Sequence, residues 1–94
     1  MIQSFKSKAA EDIYHGWSSR EALKIPSSLW KASGRKMDML NAARLITDLK
    51  VPPGNRLEAL KGNLKGKWSI RINDQFRLVF VFKDGNTCDV EIAD

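Results

Sequence analysis

A single cysteine and a single histidine in 94 residues exclude most of the commoner catalytic and structural chemistries. Cys88 alone can form neither an internal disulfide nor a multi-cysteine metal site, which points to a reducing compartment. His15 alone cannot complete a His-paired triad or a His-rich metal centre. No glycine-rich loop of the P-loop or dinucleotide type occurs. Neither a cofactor nor a metal is therefore expected. No apolar h-region follows Met1, and no apolar run approaches the ~18–20 residues that span a bilayer. The expectation is a soluble, cytoplasmic protein without internal repeats, low-complexity tracts or interdomain linkers.

What the chain does contain suits one compact core. Hydrophobic residues make up 43%, including four Phe and three Trp, which argues against disorder. The length fits one domain over residues 1–94. The net charge is +5, and such a balance favours a polyanionic partner, because neutralising phosphates releases condensed counterions.

Hydrophobic periodicity divides the chain into a helical part and a sheet part. Ile2 to Phe5 reads as a brief strand. Lys8 to His15 reads as a short helix, with Ala9, Ala10, Ile13 and Tyr14 at helical spacing and Gly16 as its stop. Residues 17–26 form a connection with a turn of helix near Arg20–Leu23. A long helix is expected from about Ser28 to Leu49, capped by Ser27 or Ser28. Its buried stripe is Trp30, Ser33, Met37, Leu40, Ala43, Ile46 and Leu49. Val51-Pro52-Pro53-Gly54 ends it.

Thereafter the period falls to 2. Trp68, Ile70 and Ile72 share one face of a strand, and Ser69 and Arg71 the other. Asn73-Asp74-Gln75 turns the chain. Phe76, Leu78, Phe80 and Phe82 then face inward while Arg77, Val79 and Val81 face outward. Asp84-Gly85 marks a hairpin, after which Cys88, Val90 and Ile92 are expected on the inner face. The expected class is α+β: two N-terminal helices on a small antiparallel sheet, made of the short N-terminal strand and a C-terminal three-stranded meander. The uncovered face would carry Arg71 and Arg77 on adjacent strands, beside two valines that suit a partner, with Asp89 and Glu91 on the last strand.

His15, ending a helix, reads as structural or surface, and Cys88 as a packing residue. What remains for chemistry is a basic set in the C-terminal half: Arg56, Lys61, Lys65, Lys67, Arg71, Arg77 and Lys83. RNA carries its own nucleophile, the 2′-OH. A protein need only deprotonate it, hold the line of attack and stabilise the charged phosphorane, for which arginine's planar fork is suited.

Two segments carry a family resemblance. Asp48-Leu49-Lys50-Val51-Pro52-Pro53-Gly54-Asn55-Arg56-Leu57-Glu58-Ala59-Leu60-Lys61-Gly62 resembles the connector of HigB-type toxins, or killer proteins, of the RelE/ParE superfamily. Trp68-Ser69-Ile70-Arg71-Ile72-Asn73-Asp74-Gln75-Phe76-Arg77-Leu78 resembles their W-S-I-x-(I/V)-N-x-Q-(W/F)-R pattern. The first five and last five residues fit as well. The resemblance implies a RelE-like fold, ribosome-dependent cleavage of translated mRNA, and inhibition by a helix-turn-helix antitoxin of the HigA kind, through which operator DNA would be reached. By position it implies Lys61 as a phosphate contact, Arg77 as stabiliser of the scissile phosphate and Asp94 in proton transfer. Arg71 and Asn73 would position RNA, with Arg56, Lys65 and Lys67 as further RNA contacts.

Two departures matter. The sequence stops at Asp94, before the Tyr-His that usually follows, and Glu58 stands where some relatives have a histidine. Either the sequence is cut short there, or the chain relies on Lys, Arg and Asp alone; the latter case would bring slower proton transfer with RNA binding retained, and faster cleavage once Tyr-His is restored. The alternative is a non-enzymatic toxin of the ParE kind that poisons DNA gyrase on the same scaffold. A DNA-reading role for the chain itself is disfavoured, because no recognition helix is evident. The antitoxin would meet either the Val79/Val81 patch or the outer face of the long helix. An inward-packed Arg71 or Arg77, or a permanent internal carboxylate partner for either, would remove the basis for a nuclease.

Overall fold

The computed structural model describes residues 1–94. Helix α1 covers Lys8–Tyr14 and helix α2 covers Trp30–Ala42. Strands β1 (Glu58–Ala59), β2 (Trp68–Arg71), β3 (Arg77–Lys83) and β4 (Asn86–Ala93) form one antiparallel sheet in the order β1-β2-β3-β4. This is an α+β fold with one face of the sheet under the helices. No helix is long and apolar enough to cross a membrane.

Helix α1 begins where Ser7 Oγ accepts from the Ala10 amide at 3.2 Å, and it ends just before Gly16, whose φ of +78° no regular helix allows. Its buried Asp12 accepts from Lys8 Nζ at 3.0 Å and from Ser19 Oγ at 2.5 Å. Ser19 Oγ in turn accepts from the Ala22 amide, which ties α1 to the 3₁₀ turn at Ala22–Lys24. The Ser19 hydroxyl first, and Lys8 next, hold the Asp12 carboxyl below the usual carboxylate range. A depressed carboxyl contributes stability above its unfolded value, near 3.9, and loses it as the pH falls through its lower folded value. The melting-temperature gap between wild type and Asp12→Asn should therefore narrow as pH drops below about 4. A gap that stays constant from neutral pH to about pH 2 would contradict this assignment.

Helix α2 is shorter than its periodicity suggests. Ala43 turns extended (ψ 134°), and Asp48 Oδ2 accepts from the amides of both Arg44 and Leu45 at 3.0 Å. Those bonds start a separate 3₁₀ turn, Ile46–Lys50, and also lower the Asp48 pKa. The apolar stripe persists across the break: Ser33, Met37, Leu40, Ala43 and Leu49 are all buried. Neither Ser27 nor Ser28 caps α2. They belong to a 3₁₀ turn, Ser27–Leu29, that leads into it, and Leu29 at the N-cap offers no side-chain acceptor.

In the sheet, Ile70, Leu78, Phe80 and Val90 are fully buried and pack in one cluster with Ala10 of α1 and Met37 and Leu40 of α2. The hairpin at Asp84-Gly85 has positive φ at both residues (52° and 77°), as a type I′ turn requires. Two expectations need correction. The N-terminal segment is not a full strand: Ile2 and Phe5 make only isolated parallel bridges, to Thr87 and Val90. The fourth strand is instead the two-residue β1, delivered by the 51–58 connector. Cys88 is also not on the inner face. The pairing shifts between Val79 and Val81, and Asp89 takes a φ of 54°. This bulge inserts one residue and reverses the alternation N-terminal to it. Thr87 therefore sits inside, fully buried and opposite Phe82, while half-buried Cys88 pairs with Val81.

Candidate nucleic-acid interface on the uncovered sheet face

Register decides what this face displays. Arg71 on β2 lies directly across from Arg77 on β3, so both side chains rise from the same side of neighbouring strands. The turn between them is closed by Asn73, whose Oδ1 accepts from the amides of Gln75 (2.9 Å) and Phe76 (2.6 Å). The third arginine comes from the far side of the sheet. Arg56, in the left-handed region (φ 48°, ψ 55°), ends the 3₁₀ turn Pro53–Asn55. Its carbonyl accepts from Arg77 Nη2 at 3.2 Å. Buried Asn55 anchors this loop, donating to the carbonyls of Leu49 and Val51 and accepting from Lys36.

Together these residues surround an open depression of about 330 Å³, lined by Arg56, Arg71, Asn73, Asp74, Gln75 and Arg77 and by no hydrophobic residue. Both central arginines have carboxylate partners. Arg71 pairs with Asp74 in the adjoining turn, and Arg77 Nη2 lies 3.2 Å from Glu58 Oε2. The Asp74 side chain is 95% exposed and that of Glu58 58%. Exposed pairs of this kind contribute at most about 1 kcal/mol and are screened by salt. An arriving phosphate can displace them. Neither arginine packs into the core, and neither partner is internal.

Of the residues singled out from sequence, Arg56, Arg71, Asn73 and Arg77 meet in the depression. Asp94 joins them at one remove, accepting from Gln75 Nε2 at 3.0 Å. Lys61 and Lys65 flank the 3₁₀ turn Gly62–Leu64, exposed and outside the depression. Lys67 approaches Glu91 at 3.9 Å, a carboxylate it shares with Lys6 at 3.3 Å. The expected valine patch is largely closed, since Val79 is buried and Val81 half-buried. Sequence reasoning noted Glu58 only as standing in place of a histidine, and passed over Asp74 and Gln75 as members of the site. Asp74 and Gln75 had a usable signal, lying in the turn between the two arginines. His15 is exposed and stacks on Trp17 with ring centroids 4.8 Å apart.

Comparison with known proteins adds an independent line. A family model described as RelE-like toxin of type II toxin–antitoxin system HigB matches residues 3–93. Toxin HigB-1 of Vibrio cholerae serotype O1 is 49% identical over 85 residues, spanning 90% of this chain and 87% of its own length. An uncharacterized protein of Haemophilus influenzae is 44% identical over 61 residues, spanning 65% of this chain and 60% of its own. Among solved structures, a YoeB–YefM complex from Staphylococcus aureus matches with a TM-score of 0.57 at 19% identity, over 97% of this chain and 95% of that one. The YoeB/ParE toxin from Agrobacterium tumefaciens matches at 0.50 and 21%, over 99% and 98%. At such identities the structural likeness speaks to the fold alone.

Proposed function

The chain belongs to the HigB-like family of RelE-like toxins of type II toxin–antitoxin systems, and from that premise we propose that it cleaves translated mRNA on the ribosome. The observation that carries the reading is the meeting of Arg56, Arg71 and Arg77 around one open depression, with the Glu58 carboxylate against Arg77. The arginines bind the scissile phosphate and stabilise the charge that builds on its oxygens. The 2′-oxygen attacks the adjacent phosphorus while its proton passes to Glu58. The bond to the 5′-oxygen breaks, and that oxygen takes a proton from water. The products are a 2′,3′-cyclic phosphate and a 5′-hydroxyl end. Asp94, tethered by Gln75, stands at the rim as a second carboxylate assisting proton transfer. Asn73 shapes the turn against which the RNA lies, while Lys61, Lys65 and Lys67 meet flanking phosphates.

The proposed setting is the cytoplasm, where the ribosome supplies the translated substrate. The proposed inhibitor is an antitoxin, in keeping with the family and with the toxin–antitoxin complex of a fold neighbour; its helix-turn-helix type is what the HigB resemblance implies. The purified protein added to a reconstituted translation reaction tests the reading, with the 5′ ends of the mRNA mapped by primer extension. New ends within the translated region, dependent on ribosomes, are expected. Intact mRNA, or DNA breakage as the first event in cells, would overturn it.

A further inference from the structure

Ser69 belongs to the W-S-I segment, yet no role has attached to it. It lies on the uncovered face, opposite Glu58 on β1 and Val79 on β3, and two residues from Arg71 along β2. Its side chain is fully buried and its hydroxyl has no hydrogen-bond partner. The same is true of one other buried polar side-chain atom, Arg77 Nε. Buried polar groups are nearly always satisfied, so two orphans on one sheet face call for an explanation.

The strand order supplies the connection. Glu58 is on β1 and Arg77 on β3, with β2 between them. The Glu58–Arg77 bridge must therefore cross over β2, beside Ser69 and Arg71. That bridge is half exposed and easily displaced. We propose that Ser69 is a substrate-binding residue: when a phosphate of the RNA replaces the Glu58 carboxylate on Arg77, its oxygens accept from the Ser69 hydroxyl and from Arg77 Nε–H. Both orphan donors are then used, and Arg77 presents its Nε/Nη2 edge, the side-on fork that binds two oxygens at once. In the free protein the hydroxyl carries its desolvation cost without return. The proposal rests on the RNA-cleaving reading for its ligand, though not for its phosphate chemistry.

This arrangement separates binding from stability. Ser69→Ala deletes an unsatisfied polar atom, so the free protein should melt at or above the wild-type temperature. Its affinity for a short single-stranded RNA, 2′-O-methylated to prevent cleavage, should fall about tenfold or more at fixed salt, the loss of a hydrogen bond to a charged group. Ser69→Thr keeps the hydroxyl and should restore binding. Unchanged affinity in Ser69→Ala, or an affinity loss accompanied by a lower melting temperature, overturns the proposal. A titration with inorganic phosphate, followed at the Arg77 Nε–H resonance by NMR, makes the test independent of RNA. A shift in the wild type that Ser69→Ala abolishes supports the site even if no RNA is cut; no shift in the wild type overturns it.

Discussion

Arg77→Ala should lower the rate of mRNA cleavage by about 10²–10³-fold, the usual loss when one donor to a developing oxyanion is removed. Arg77 is the best placed of the three arginines. It is held from two sides, by the Arg56 carbonyl and by Glu58, each at 3.2 Å from Nη2. Its Cα partners are Arg71 on one neighbouring strand and Ala93 on the other. It is the first residue of an inner strand, paired on both sides, and not part of an edge strand, so its orientation is set before substrate arrives. That preorganisation is what makes a charge effective in the transition state. The side chain is 36% exposed and its ion pair is a surface one, so the same substitution should leave the melting temperature nearly unchanged. Arg77→Lys should recover little of the rate, because a point charge cannot reproduce the two-pronged contact. Single-turnover cleavage on programmed ribosomes, beside a melting curve, measures both halves. Wild-type cleavage by the folded alanine variant would remove Arg77 from the chemistry.

Glu58→Gln should separate binding from catalysis. The carboxylate neutralises part of the Arg77 charge in the structure, and in the proposed reaction it is also the proton acceptor. Replacing it by a neutral amide lessens competition with phosphate, so RNA should bind up to about fivefold more tightly, the range of an exposed ion pair. Proton removal from the 2′-OH loses its acceptor, and cleavage should fall about 10²–10⁴-fold. Tighter binding with slower cutting is an outcome that a merely structural salt bridge would not give. Equal losses in both would assign Glu58 to folding or positioning instead.

Much of this site could be read from alternation. Residues 68–72 and 76–82 switch faces every second position, so Arg71 and Arg77 had to rise on the same side, across a turn of three residues. The core positions Ile70, Leu78, Phe80 and Val90 follow from the same rule. What escaped the rule has local causes. The end of α2 at Ala42 comes from the Asp48 carboxylate capturing two amides, with no glycine or proline to announce it. The bulge at Asp89 places a non-glycine residue at positive φ and so inverted the prediction for Cys88. Glu58 arrives from a connector whose path is fixed by the buried amide of Asn55. A charged residue in such a segment reads as solvated until the strand pairing of β1 with β2 is known. Lys65 came from the basic character of this half of the chain and Lys61 also from resemblance, and both lie outside the depression.

In the proposed mechanism the basic face presents an RNA phosphate to the RNA's own 2′-hydroxyl. This is tested most directly by an mRNA carrying a single 2′-deoxynucleotide on the 5′ side of a mapped cleavage site. Cleavage at that bond should vanish while neighbouring sites are still cut. Undiminished cutting at the deoxy position would show that another nucleophile does the work.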